Sequence, residues 1–228
     1  MLSSRRFRWF GCLLTVITLV GCQTTKRVTP PPTTSYAQFD EDTPLGAMKA
    51  LEAALAAGDE AKIVSMMRAA TPLQQKFVRE RAKGQAKIAV FKKELDTRFG
   101  PKRGPELQFL GTFGLLFPLG WIDLNGATVR DWGDTAVIDD ARHSHLQIMI
   151  LEGGRWKAFF YTDELHDKTQ MEMLISVCEP MAKAIDQTTD EMKAGKYATA
   201  QEVAGALSER ISAIGDKWRG SHKEPGGG

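Results

Sequence analysis

The spacing of apolar residues changes twice along the chain, and this change restricts the fold more than any other sequence feature. Between residues 43 and 100, apolar residues recur every three or four positions, as in helices. Short β-rich runs follow at 127–132, 134–139, 145–152 and 155–161, and helical spacing returns over 162–220. We therefore predict an α+β fold: N-terminal helices packed on a curved antiparallel sheet of about four strands, followed by a C-terminal helical hairpin.

Capping and turn residues indicate where these elements begin and end. A threonine followed by a proline, at Thr43 and again at Thr71, is typical of a helix start. The pairs Gly133-Asp134 and Gly153-Gly154 separate β-rich runs at spacings typical of antiparallel hairpins. Gly195 divides the C-terminal block into two helices, which should therefore pack as an antiparallel pair.

The first 21 residues have the charge and hydropathy pattern of an export signal. Three arginines, at positions 5, 6 and 8, precede an apolar run over residues 9–20. Such a run makes about 18 Å of helix, which is short of the roughly 30 Å hydrocarbon core of a bilayer. We expect it to enter a translocon rather than to span a membrane.

The sequence Leu19-Val20-Gly21-Cys22 resembles the lipobox of bacterial lipoproteins. The resemblance implies cleavage between Gly21 and Cys22, and attachment of diacylglycerol to the Cys22 thiol through a thioether. The new amino terminus is usually acylated as well in that family, and two or three acyl chains hold a protein firmly where one is marginal. The alternatives are an ordinary signal peptide or an uncleaved anchor that happens to contain a cysteine.

The resemblance also implies a location in the bacterial cell envelope. Position 23 is Gln rather than the Asp that retains many of these lipoproteins at the inner membrane. If the cell has two membranes, the periplasmic face of the outer membrane is therefore favoured. Residues 22–42 are rich in Thr and Pro and are predicted to form an extended tether, and residues 221–228 to form a flexible tail.

The charge of the mature chain gives no argument for nucleic acid as a partner. Removal of residues 1–21 takes away three arginines and no acidic residue, which leaves 27 basic against 28 acidic side chains.

With Cys12 lost and Cys22 consumed by lipid, Cys178 has no cysteine with which to form an intramolecular disulfide. Its place on an apolar helical stripe predicts burial as a small hydrophobic residue, the alternative being an exposed thiol that bridges two chains.

Three segments resemble the nuclear-transport-factor-two-like superfamily, which includes SnoaL-like domains and ketosteroid isomerases. They are TPLGAMKALEAALAAGD from Thr43, GDTAVIDD, and ILEGGRWKAFF. The resemblance covers residues 43–161 and implies a cone-like α+β domain, with 162–220 as an addition to the family layout. Enzymes of the family place an Asp inside the cone, but Asp123, Asp131 and Asp163 lie in no matching motif, so no catalytic residue is carried over.

One histidine pair is a candidate for divalent metal. His143 and His145 lie two positions apart, so both side chains would project from one face of a strand, near Asp139 and Asp140. An exposed hairpin between two apolar strands would contain the same residues. Because zinc needs three or four ligands, the pair alone does not predict a cofactor.

Residues 106–122 form the most apolar segment of the mature chain, yet glycines and Pro118 interrupt any helix. The segment is either a loop and edge strand folded onto the core, or a pocket wall or partner surface. The residues of that candidate surface are Phe109, Phe113, Leu116, Phe117 and Trp121.

Three tryptophans outside this segment are interpreted as core residues rather than as ligand-stacking residues: Trp132, Trp156 and Trp218.

These features favour a lipid-anchored envelope protein that acts as a non-catalytic binding or interaction module near the membrane. Its partner would be another envelope protein or a small apolar ligand. Two alternatives stay open: an isomerase-like or lyase-like enzyme that uses an apolar cavity in the cone, and a scaffold that oligomerises through its C-terminal helices. An interior Asp or His facing a cavity would favour the enzyme.

Overall fold

The computed structural model describes residues 36–101, 124–140, 145–159 and 168–221. This part of the chain contains five helices and one four-stranded antiparallel sheet, so the predicted α+β class is confirmed. Three helices precede the sheet and two follow it. In chain order the elements are α1 (Pro44–Ala57), α2 (Glu60–Met66), α3 (Pro72–Phe99), β1 (Thr128–Asp131), β2 (Thr135–Asp140), β3 (His145–Glu152), β4 (Arg155–Phe159), α4 (Lys168–Lys193) and α5 (Ala200–Ser221), with a 3-10 turn at Tyr36–Gln38 before them.

The predicted helix starts are confirmed. The Thr43 side chain accepts a hydrogen bond from the Gly46 backbone amide at 3.1 Å, and Thr71 forms a capping box with Gln74. Gly58 ends α1 with a φ of 69°. A Cβ at this position would lie 2.8 Å from the Cβ of Ala89, so glycine also allows the end of α1 to approach α3 closely.

The strands are ordered β1-β2-β3-β4, and each pairs antiparallel with the next. The predicted runs agree with these strands to within two residues at every end. Met149 on β3 pairs with Ala136 on one side and Ala158 on the other, and all three are fully buried. The helices α1 and α2 contact this face of the sheet, which makes it the inner face.

The buried apolar residues form two clusters. The first, which we call the sheet core, joins α1, α2, the first half of α3 and the inner face of the sheet. The second, the helical core, joins the second half of α3 with α4 and α5. The sheet core includes Met48, Leu51, Ile63, Val78, Ile138, Met149 and Trp156; the helical core includes Ile88, Phe91, Leu95, Ile185, Met192, Val203 and Leu207.

Helix α3 belongs to both cores because of its length. Its 28 residues extend over about 42 Å. Helix α4 runs parallel beside it, as shown by the Lys87–Asp186 ion pair at 3.0 Å and by Arg98, which donates to the carbonyl of Lys193 at 3.2 Å. The two cores therefore share one rigid element.

Two sequence interpretations of single residues have opposite outcomes. Cys178 is 6% exposed, which confirms its predicted burial. Trp132 is 61% exposed, so its interpretation as a core residue is wrong. It follows the last residue of β1, at the edge of the sheet, where no further strand among the described residues covers it.

Within the described ranges, no helix is both long enough and apolar enough to cross a membrane.

Candidate interaction surfaces

The face of the sheet opposite α1 and α2 carries apolar side chains. Because side chains alternate along a strand, the buried Ala136 and Ile138 place Val137 on this opposite face. Residues that pair across neighbouring strands lie on the same face of a sheet. Val137 pairs with Ile148, which pairs with Phe159, so all three lie on this face. We call this surface the outer sheet face, and its apolar strand residues are Val137, Leu146, Ile148, Ile150 and Phe159. Trp132, directly after β1, adjoins the face, since its backbone amide donates to the carbonyl of Thr135 at 2.8 Å.

The outer sheet face is exposed at two of its margins. Leu146 is 60% exposed and Trp132 is 61% exposed, whereas Val137, Ile148 and Ile150 between them are partly buried. An ion pair borders the face on the β1 side, where Arg130 lies 3.6 Å from Asp139. Large exposed apolar side chains with a polar rim are typical of a surface that contacts another molecule.

A cleft of about 200 Å³ lies where β4 meets the start of α3 and the segment after α2. We call it the β4 cleft. Its lining combines an apolar floor with a polar rim. The floor consists of Val64, Met67, Ala69 and Val78, and the rim consists of Gln75, Arg79, Glu152 and Lys157.

The rim of the β4 cleft is organised by one ion pair. Lys157 donates to Glu152 at 2.9 Å, and this hydrogen bond holds the pKa of Glu152 below its usual value. The positive charge of Arg68 lowers that pKa further. Arg68 itself does not line the cleft, and its guanidinium lies over the ring of Phe159, 5.3 Å from the ring centre.

The helical core is bordered by a charged network centred on Glu191. Arg210 of α5 donates to both carboxylate oxygens of Glu191, at 2.8 and 2.7 Å, and also to the hydroxyl of the fully buried Thr188. Tyr197 donates to Glu191 as well, and Lys196 lies 3.1 Å from it. These donors lower the pKa of Glu191 strongly, so the carboxylate stays charged and joins α4 to α5.

The segment before α1 is fastened to the sheet core at three points. Tyr36 donates to Asp59 at 3.0 Å, and Lys62 forms an ion pair with Glu41. Trp156 of β4 donates its indole N–H to the backbone carbonyl of residue 42 at 3.1 Å. We call residues 36–42 the N-terminal strap. Burial and the hydrogen bond to Asp59 raise the pKa of Tyr36 to about 12.

Helix α3 contributes a buried guanidinium beside the only cysteine of the described residues. Arg81 is 7% exposed, and its guanidinium lies 4.9 Å from the centre of the Phe77 ring. Burial lowers the pKa of Arg81 to about 9 and raises the pKa of the Cys178 thiol. The thiol is therefore protonated at neutral pH, which does not favour a nucleophilic role.

Most residues singled out in the sequence lie outside the described ranges. These are Gly21, Cys22, Phe109, Phe113, Leu116, Phe117, Trp121 and His143. His145 lies in β3, where it pairs with Asp140, and Asp139 forms the ion pair with Arg130. Among the residues that the structure describes, no three His, Cys, Asp or Glu side chains are grouped closely enough to hold a metal ion.

The space between α1 and the inner face of the sheet is filled by side chains where the structure describes it. Met48, Ile138 and Met149 have no exposed surface. The sequence analysis did not predict the outer sheet face, because it gave residues 145–152 only as a β-rich run. The signal that could have found it is that three residues of this run, Leu146, Ile148 and Ile150, alternate along one side.

Comparison with known proteins adds no homologue to this description: no family model matches the chain, and no curated protein or solved structure matches it either.

Proposed function

We propose that this protein is a lipid-anchored component of a bacterial cell envelope, and that it binds a partner protein through the outer sheet face without catalysing a reaction. The observation that supports this most is the exposure of Leu146 on the outer sheet face and of Trp132 directly after β1, at 60% and 61%. The lipobox-like Leu19-Val20-Gly21-Cys22 supports the envelope location.

A protein partner is favoured over a ligand enclosed in a cone. The inner face of the sheet is filled by Met149 and its neighbours, whereas the outer face carries partly exposed apolar side chains and Leu146, which is 60% exposed. Aromatic and aliphatic side chains in such a position are typical anchors of protein interfaces. The ion pair of Arg130 with Asp139 would lie at the polar rim of that interface.

We further infer the finer architecture that the sequence predicts. The sheet would curve around α1, as in a cone-like domain over residues 43–161. Helices α4 and α5 would form an antiparallel hairpin over residues 162–220. The contacts of Arg210 with Glu191 and Thr188, together with the short turn at Gly195, support the hairpin.

A photo-crosslinking amino acid at position 146 tests the partner surface. The variant is expressed in the native cells, and its adducts are compared with those from position 90. Val90 is a matched control, because it is apolar and 51% exposed but lies on α3. We expect a discrete adduct from position 146 that Trp132→Glu removes, and none from position 90. The same adducts from both positions would contradict the proposal.

Labelled palmitate tests the anchor independently. We expect the wild-type chain to incorporate the label and to fractionate with membranes, and Cys22→Ser to lose both properties. Cys178→Ser is the control, because Cys178 is buried and should carry no lipid. Label that persists in Cys22→Ser, or a wild-type chain that incorporates none, would show that the envelope anchor is wrong.

A further inference from the structure

We propose that the β4 cleft binds a small amphiphilic anion, meaning a carboxylate or phosphate group joined to a short apolar chain. The lining of the cleft, with an apolar floor and a cationic rim, carries this inference. It does not depend on the proposed function, since the cleft would bind such a molecule whether or not the outer sheet face has a partner.

The floor sets the apolar part of the ligand. Met67 and Val78 are 3% and 4% exposed and belong to the sheet core, so their packing fixes the apolar bottom of the cleft. Ala69 is small and leaves room in front of them. Sites for drug-sized ligands have roughly 300–1,000 Å³. The cleft, at about 200 Å³, is smaller than this range and therefore suits only a short apolar chain.

The rim sets the charge of the ligand. Lys157 already donates to Glu152, so these two charges offset each other. Arg79 then provides the net positive charge of the lining residues, with the Gln75 amide as a further donor. A guanidinium binds carboxylate and phosphate oxygens in pairs, which neither a neutral head group nor a cation can reproduce. Arg68, close enough to Glu152 to lower its pKa, adds to the positive field.

The experiment is an NMR titration of the mature chain, residues 22–228, with Cys22→Ser to avoid detergent. The probes are hexanoate, hexyl phosphate, hexanol and acetate. Hexanoate and hexyl phosphate should shift the amide signals of Ala69 and Val78 in a saturable manner. Hexanol lacks the charge and acetate lacks the chain, so each should bind about tenfold more weakly.

Three variants separate the contributions. Arg79→Gln should weaken binding of hexanoate about tenfold, because it removes the charged head-group contact. Lys76→Gln is the matched control, since Lys76 is exposed on the same helix but does not line the cleft, and should bind like the wild type. Ala69→Leu should fill the cleft and reduce hexanoate binding while the rim charges stay in place.

Two results would overturn the proposal. One is equal hexanoate binding by Arg79→Gln and Lys76→Gln, which would show that Arg79 makes no specific contact with the anion. The other is saturable shifts that fall outside the cleft, or hexanoate binding that Ala69→Leu leaves unchanged. If the anion binds in the cleft while position 146 gives no specific adduct, the anion site is supported and the proposed protein interface is contradicted.

Discussion

The sheet core and the helical core are built by different means, although both contain part of α3. The sheet core is closed by apolar side chains, with Met48, Ile138 and Met149 fully buried. The helical core is also apolar inside, but the charged network of Glu191 and Arg210 lies along its border. A sheet with helices on one face can specify its packing by strand register, whereas two helices can slide or rotate along each other unless directional bonds fix them.

The largest expected effects come from one truncation in each core. Phe91→Ala in the helical core and Met149→Ala in the sheet core should each lower the free energy of unfolding by about 3–4 kcal/mol, because both side chains are almost fully buried. Since α3 joins the two cores, each variant should still unfold in one transition. Urea denaturation followed by circular dichroism measures both the loss and the number of transitions.

Two separate unfolding transitions in either variant would contradict this expectation. They would show that α3 does not couple the cores and that each core folds on its own. Val90→Ala is the control for a change on α3 outside both cores, because this side chain is 51% exposed.

The next largest effect should come from the charged network. Glu191→Gln should lower the free energy of unfolding by about 2 kcal/mol near neutral pH, because Arg210 loses a charged acceptor. The pKa of Glu191 lies well below its usual value of 4.5 in the folded protein. The stabilisation is therefore present above about pH 4.5 and is lost as the pH falls through the folded pKa.

The difference between wild type and Glu191→Gln should accordingly shrink in acid. Denaturation at about pH 6 and about pH 3 measures it. A difference that stays constant would mean that the carboxylate charge does not stabilise the α4–α5 contact. Glu209→Gln on the exposed side of α5 provides the matched change of charge.

A smaller effect is expected from the N-terminal strap, which belongs to the sheet core. Tyr36→Phe removes the hydrogen bond to Asp59 and should cost about 1 kcal/mol. The pKa of Tyr36 is raised from 10.0 to about 12, so the wild type should lose stability as the pH rises through that range. Tyr36→Phe should not show this part of the loss. Denaturation of wild type and Tyr36→Phe at about pH 8 and at about pH 11 measures the difference, which should shrink at the higher pH.

The smallest effect should come from the surface ion pair between α3 and α4. Lys87 and Asp186 lie 3.0 Å apart, but their side chains are 45% and 46% exposed. Lys87→Ala should therefore change the free energy of unfolding by less than about 0.5 kcal/mol. A change as large as that of Glu191→Gln would show that exposed charges join the helices as effectively as the network does.

The elements of the fold could be predicted because their signals are local. Thr43 and Thr71 cap helices within a few residues of themselves, and Gly133 and Gly153 form turns between neighbouring strands. The outcome for Trp132 could not be predicted, since the same alternation occurs on an edge strand and on a covered one. The partners of Glu191 also escaped prediction: only the helix packing brings Arg210 to it, from 19 residues further along the chain.

The candidate surfaces depend on non-local packing even more strongly. The β4 cleft joins Ala69, Arg79 and Lys157, which no motif connects in the sequence. Arg79 is one of many cations on an amphipathic helix, and nothing in its neighbourhood distinguishes it before the fold is known. The proposed lipid anchor is the opposite case, because its signal is the contiguous sequence Leu19-Val20-Gly21-Cys22.

The N-terminal strap has a mechanical consequence. If Cys22 is fixed in a lipid surface, any tension on the tether reaches the domain first at Tyr36, and then at Glu41 and the carbonyl that Trp156 holds. These three contacts follow one another along the strap. They would therefore have to break one after another before the tension acts on α1.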